Sequence, residues 1–132
     1  MDTAGFLALW DASDEHHRRA VGLQRKLASR KCCFLTTDYI LDETVTLLRI
    51  RHSHAAAEDF LDAMEKTRFI QTEWTDSLRF SSAATLFRKH QDKEWSFTDC
   101  VSFAVMRERG ISDAFTTDRH FAQAGFVPLL KA

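Results

Sequence analysis

Four acids in this chain stand where carboxylates can do chemistry. Asp2 precedes Thr3, Glu43 lies in YILDETVTLLR, Asp99 in WSFTDCVSFAVM and Asp118 in AFTTDRHF. If Glu43 is helical, its neighbours at i−3 and i+4 are Ile40 and Leu47, and Asp99 has Phe103 at i+4. Both acids then point along apolar faces. A carboxylate aimed there carries a large desolvation cost unless a cation or a donor meets it. No arginine or lysine is spaced to point inward beside them. Acids converging without a basic partner are the arrangement expected of a hard divalent cation, and Mg²⁺ and Mn²⁺ take oxygen ligands and keep several waters. Such a site can activate a water and stabilise the leaving oxygen of a phosphodiester. Each acid also has a structural role open to it. Asp99 and Asp118 can cap helices, Glu43 can be one exposed helix position and Asp2 can belong to a frayed terminus.

Whether the four converge depends on the elements that carry them. Gly5 to Trp10 reads as a short apolar helix, and Ser13 or Asp14 as the cap of an amphipathic helix reaching Arg30. Cys33 to Thr36 reads as a strand. Thr37 or Asp38 caps a helix to Arg51, and Ser53 caps another with Ala56, Phe60, Leu61 and Met64 on its apolar face. Phe69 to Trp74 is a second strand, followed by a helix from Thr75 to His90 with Leu78, Ala83, Leu86 and Phe87 inward. Ser96 and Thr98 are N-cap candidates for a helix that Gly110 ends. Ala114 to Thr117 is a strand, Arg119 to Ala124 a helical turn, and Phe126 to Leu130 a last strand that Pro128 places at an edge.

Helices alternating with short strands imply a three-layer α/β/α sandwich with a central, mostly parallel sheet, its first strand short or missing. In such open sheets ligands bind outside the carboxyl ends of the strands. Asp2, Glu43, Asp99 and Asp118 all fall on that rim. Arg49, Arg51 and Arg119 are candidates to hold a nucleic-acid backbone beside it, and His120 to orient a phosphate or a water.

The 132 residues suffice for one domain, 1–132, with a real core: 45% are apolar, eleven of them phenylalanine. Eighteen Lys plus Arg against 19 Asp plus Glu leave the chain less basic than proteins that only coat nucleic acid. No apolar run approaches the roughly 18 residues of a membrane span, and the start lacks the layout of a signal peptide, so a cytoplasmic location is expected. Three cysteines, two of them the neighbours Cys32 and Cys33, make no disulfide framework. The four glycines are scattered singly, which excludes a phosphate-binding Gly-rich loop. The histidine pairs His16-His17 and His52-x-His54 diverge on a helix and make poor metal sites.

Taken in order, Asp2-Thr3, Glu43, the segment around Asp99 and the segment around Asp118 resemble the PIN-domain ribonucleases, and most closely the VapC-type toxins of VapBC toxin–antitoxin modules. The resemblance runs over essentially the whole chain and is most specific in its C-terminal third. It implies a Mg²⁺- or Mn²⁺-dependent endoribonuclease acting on RNA of the tRNA or rRNA class. It also implies a homodimer and inhibition by a cognate VapB-type antitoxin. It places Asp2, Glu43, Asp99 and Asp118 as the catalytic and metal-binding acids, with Thr3 and Thr117 as small polar supports. The family pattern has an apolar strand before the first aspartate, where only Met1 stands here, so Asp2 is expected to be the least firmly held of the four. Two rival readings share these residues: a metal nuclease acting on DNA, and a PIN-like scaffold that binds RNA or a protein without cleaving.

Overall fold

Side-chain caps set most of the helix starts. The computed structural model describes residues 1–131. Helix α1 spans Thr3–Trp10 and α2 His17–Ser29; strand β1 spans Phe34–Thr37, followed by α3 at Asp38–Arg51 and α4 at His54–Lys66. Strand β2 (Ile70–Glu73) leads to α5 (Ser77–Lys89) and α6 (Phe97–Arg109), then β3 (Asp113–Ala114), α7 (Arg119–Gln123) and β4 (Val127–Pro128). Thr37 caps α3 by accepting from the Ile40 amide, and Ser53 caps α4 by accepting from the Ala56 amide. At α6 the Ser96 hydroxyl accepts from the Asp99 amide while the Asp99 carboxylate accepts from the Ser96 amide, a reciprocal capping box. Gly110 ends α6 at φ 65°, in the left-handed region that glycine enters without strain.

Two helix starts differ from the sequence reading. Neither Ser13 nor Asp14 caps α2: Asp11 accepts from the Ser13 amide and Asp14 from the His16 amide, so both acids serve the turn ahead of it. Helix α2 begins at His17, after a His16 that makes no side-chain cap. Thr75 does not open α5 because its amide and hydroxyl both donate to Asp38, and Asp76 takes the capping position instead. Of the residues expected inward on α5, Ala83 is buried and Leu86 packs on the core, but Leu78 and Phe87 are 77% and 47% exposed.

The strands lie in two parallel ladders. One pairs β1 with β2, Phe34 facing Ile70 through Thr37 facing Glu73; the other pairs β3 with β4, Asp113 facing Val127 and Ala114 facing Pro128. Hydrogen bonds from the Leu129 and Leu130 amides to the Ala114 and Thr116 carbonyls continue the second pairing. Met1 lies beside β1: its nitrogen donates to the Leu35 carbonyl at 2.6 Å and its carbonyl accepts from the Thr36 hydroxyl at 3.0 Å. Helix α1 then presses against the β3 side. A Cβ on Gly5 would meet the Phe115 carbonyl oxygen at 2.1 Å, so only glycine fits that crossing.

Helices α3 and α4 pack together, as do α5 and α6, and α3 and α6 also meet β1. This is the expected sandwich of helices about parallel strands. Trp95, Val101, Phe103 and Phe121 form one apolar cluster, Phe6, Ile40, Leu48 and Phe60 a second, and Ala8, Phe115 and Leu130 a third. A fully buried phenylalanine contributes about 1.5–3 kcal/mol of transfer free energy, so Phe6, Phe60 and Phe103 anchor the elements that carry the acids. Among the described residues no helix is long and apolar enough to cross a membrane.

Candidate metal centre

A polar cleft of about 320 Å³ is lined by Asp2, Glu43, Asp99 and Asp118 together, with Thr3, Arg51, Thr98, Ser102 and Thr117 beside them. Each acid arrives on a different element. Asp2 is the N-cap of α1, Glu43 lies in the second turn of α3, Asp99 in the first turn of α6, and Asp118 is the N-cap of α7.

Asp2 is firmly held, against expectation. It is 8% exposed. Its carboxylate accepts from the Gly5 amide at 2.9 Å and from the Thr116 hydroxyl at 2.7 Å. One bond comes from the first turn of α1 and the other from the segment after β3, and together they fix the carboxylate. Burial pushes its carboxyl up to about 6, opposed by the bonds from Thr116 and Gly5.

Asp99 has 15% of its side chain exposed and accepts from the Ser96 amide at 3.1 Å. Burial raises its pKa, the Asp118 charge adds to this, and the Ser96 amide and His120 oppose it. Asp118, with 30% of its side chain exposed, accepts from the His120 amide at 2.8 Å and donates its own amide to Thr116 at 2.9 Å. Capping is therefore part of what both aspartates do, without accounting for their convergence. Glu43 is half-buried and lines the same cleft.

The acids have basic neighbours, two of the residues named for the rim among them. Nδ1 of His120 lies 3.1 Å from Asp99 Oδ2 and 3.4 Å from Asp118 Oδ1, and Arg51 lines the cleft from the end of α3. His120 comes from α7, after β3, and Arg51 from two turns beyond Glu43 on α3. Of the other arginines named for a backbone contact, Arg49 bonds His54 and Arg119 lies 3.9 Å from Glu94. Thr116 was missed. Thr117 does line the cleft, but Thr116 is the threonine that bonds Asp2, because its side chain faces inward where Thr117 is only half-buried.

The donors could hold a divalent cation. One ligand atom each from Asp99, Asp118 and His120 lie within 4.8 Å of one another. Asp2 and Glu43 line the same cleft but are not in that group of three. Repulsion among acids this close, and the burial that raises Asp2 and Asp99, are what a bound cation would relieve. The hydroxyls of Thr3 and Ser102 are buried on the same cleft with no hydrogen-bond partner among the described residues.

The PIN domain family pattern matches residues 1–127. The 23S rRNA-specific endonuclease VapC20 of Mycobacterium tuberculosis is 35% identical over 127 residues, covering 96% of this chain and 94% of that protein. A VapC ribonuclease of Archaeoglobus fulgidus is 29% identical over 110 residues, covering 82% of this chain and 69% of that protein. The crystal structure of VapC20, described as a sarcin–ricin loop cleaving toxin, superposes with a TM-score of 0.85 over 96% of this chain and 94% of that one. With the family pattern spanning nearly the whole chain and the fold matched at 35% identity, the chain belongs to the PIN-domain family, among its VapC-type ribonucleases.

Proposed function

We propose that the chain is an endoribonuclease toxin, acting as one domain, that hydrolyses RNA phosphodiester bonds with Mg²⁺ or Mn²⁺ held by Asp2, Glu43, Asp99 and Asp118. The observation that carries the proposal is the single cleft into which four separate elements deliver these acids. A cation bound there supplies an activated water and neutralises the leaving oxygen. The protein's own work is positional. The capping box fixes Asp99 against Ser96, Thr116 ties Asp2 to Asp118, and Arg51 stands where it can neutralise a phosphate.

The name of VapC20 makes an rRNA hairpin of the sarcin–ricin type the first substrate to try, ahead of tRNA. A homodimer and a VapB-type antitoxin belong to the same proposal. Supporting a protein partner are large apolar side chains left in water, with Trp74 68%, Leu78 77% and Phe69 55% exposed. All three cysteines are free, which suits a reducing compartment such as the cytoplasm.

The test is Asp99→Asn. Asparagine keeps the acceptor of the capping box, so α6 should stay folded while cleavage of labelled RNA with Mn²⁺ is lost. A folded, fully active variant overturns the assignment, and a preference for DNA in the same assay would replace RNA as the substrate.

A further inference from the structure

The acid cleft contains two buried hydroxyls that no protein group among the described residues meets. Ser102 is 5% and Thr3 8% exposed, and the hydroxyl oxygen of each is buried without a hydrogen-bond partner among the described residues. Both residues line the acid cleft. An unmet buried hydroxyl is costly, and nearly all such groups in folded proteins are satisfied. Two of them on one small cleft call for an explanation.

Their placement supplies one. Ser102 follows Asp99 by three residues on α6, which puts its side chain on the same helical face one turn further in. Thr3 follows Asp2 at the start of α1. Each hydroxyl is therefore paired in sequence with one of the two acids whose carboxyl groups burial raises. The other space that Ser102 adjoins is an apolar cavity of about 290 Å³ between β1 and β3, whose lining is dominated by Phe34, Leu35, Val105, Met106 and Phe115. That side offers a hydroxyl little. The polar side holds the acids and whatever they bind.

We infer that Ser102 is a positioning residue of the metal centre, acting with Thr3: their hydroxyls would hold waters of a divalent cation bound in the cleft. Small, hard divalent ions keep several waters when bound by only a few carboxylates, and those waters need oxygen partners of their own. A hydroxyl both donates and accepts, so it can meet a water in either orientation. Residues of this kind orient a site without contacting the ion, and their loss typically lowers metal affinity about 10- to 100-fold. The inference rests on the proposed metal-dependent function and adds to it the residues that would set how tightly the ion is held.

The experiment uses near-isosteric variants, Ser102→Ala and Thr3→Val, with Mn²⁺ as the probe. Titration calorimetry reads affinity, and thermal melts with and without Mn²⁺ read stability. Expected are melting temperatures equal to or above wild type without metal, because an unmet hydroxyl has been removed, together with Mn²⁺ affinity about tenfold weaker and a smaller Mn²⁺-induced shift. Ser102→Thr, which restores a hydroxyl, should recover part of the affinity. Lower stability without metal and unchanged Mn²⁺ affinity would show a structural hydroxyl and overturn the inference. Wild type that binds no Mn²⁺ would overturn the proposed function itself, whereas wild type and both variants binding alike would remove only the role of Ser102 and Thr3.

Discussion

The Thr116 hydroxyl donates to Asp2 Oδ2 at 2.7 Å, joining two buried residues 114 positions apart. The same oxygen accepts from the Asp118 amide at 2.9 Å, so one side chain sets the spacing of two acids. Thr116→Val removes both bonds and leaves the Asp2 carboxylate short of a donor. The expected cost is about 1–3 kcal/mol in urea denaturation, with a further rise in the Asp2 pKa. A variant as stable as wild type would show that the bond does not hold Asp2.

The Asp2 carboxyl, at about 6 in the native protein against an ordinary 3.8, binds its proton more tightly folded than unfolded. Its contribution to stability is therefore fully present below about pH 4 and lost as pH rises through about 6. Without metal, this one group lowers stability across that window by up to about 3 kcal/mol, at roughly 1.4 kcal/mol per pKa unit. Asp2→Asn should flatten that part of the curve. A cation takes the ionised form, so Mn²⁺-induced stabilisation should grow over the same interval. Melting curves between about pH 4 and 8, with and without Mn²⁺, read both slopes.

Two glycine substitutions should act in opposite directions. Gly5→Ala drives a methyl into the Phe115 carbonyl at 2.1 Å, backbone against backbone, and should cost more than about 3 kcal/mol or prevent folding. Gly22→Ala lies within α2 with nothing inside 4 Å of the new Cβ, and should stabilise by about 0.5–1 kcal/mol. Chemical denaturation of the pair distinguishes close approach from helix propensity.

Glu73 sits between two arginines, 2.8 Å from Arg79 and bonded to Arg109, with its side chain 11% exposed. Arg79 also binds Glu108, and its guanidinium pKa is pushed upward, first by Glu108 and then by Glu73. Glu73→Gln leaves the arginines against a neutral amide. The expected loss is about 1–3 kcal/mol, below that of a fully buried pair because Arg109 is 43% exposed. Mn²⁺ affinity should not change, since this cluster is apart from the acid cleft.

What could be read ahead of the structure was local. Thr37, Ser53 and Ser96 cap helices because the partner amide is three residues away, and sequence shows such neighbours directly. The start of α2 was hidden because Asp11 and Asp14 had a competing local use in a turn. The start of α5 was hidden because Thr75 is engaged by Asp38, 37 residues away. In the cleft, helical spacing aimed Glu43 and Asp99 inward, and both line it. It could not find Thr116 or the approach of His120 to Asp99, relations that exist only once separate elements meet. Leu78 and Phe87 were placed inward by apolar character alone, which says what a side chain prefers and not whether a neighbour arrives to cover it.

The two parallel ladders are separate hydrogen-bonded units, and the acids are divided between them. Glu43 follows the first ladder, while Asp118 follows β3 of the second. A seam of side-chain contacts, with few main-chain bonds across it, is where a fold of this kind breathes most easily. An ion gripped from both banks would act as a rivet. Amides flanking the seam at Thr36, Thr37, Thr116 and Asp118 should then exchange with solvent more slowly when the cleft is loaded, so that substrate meets a stiffer molecule than the empty protein.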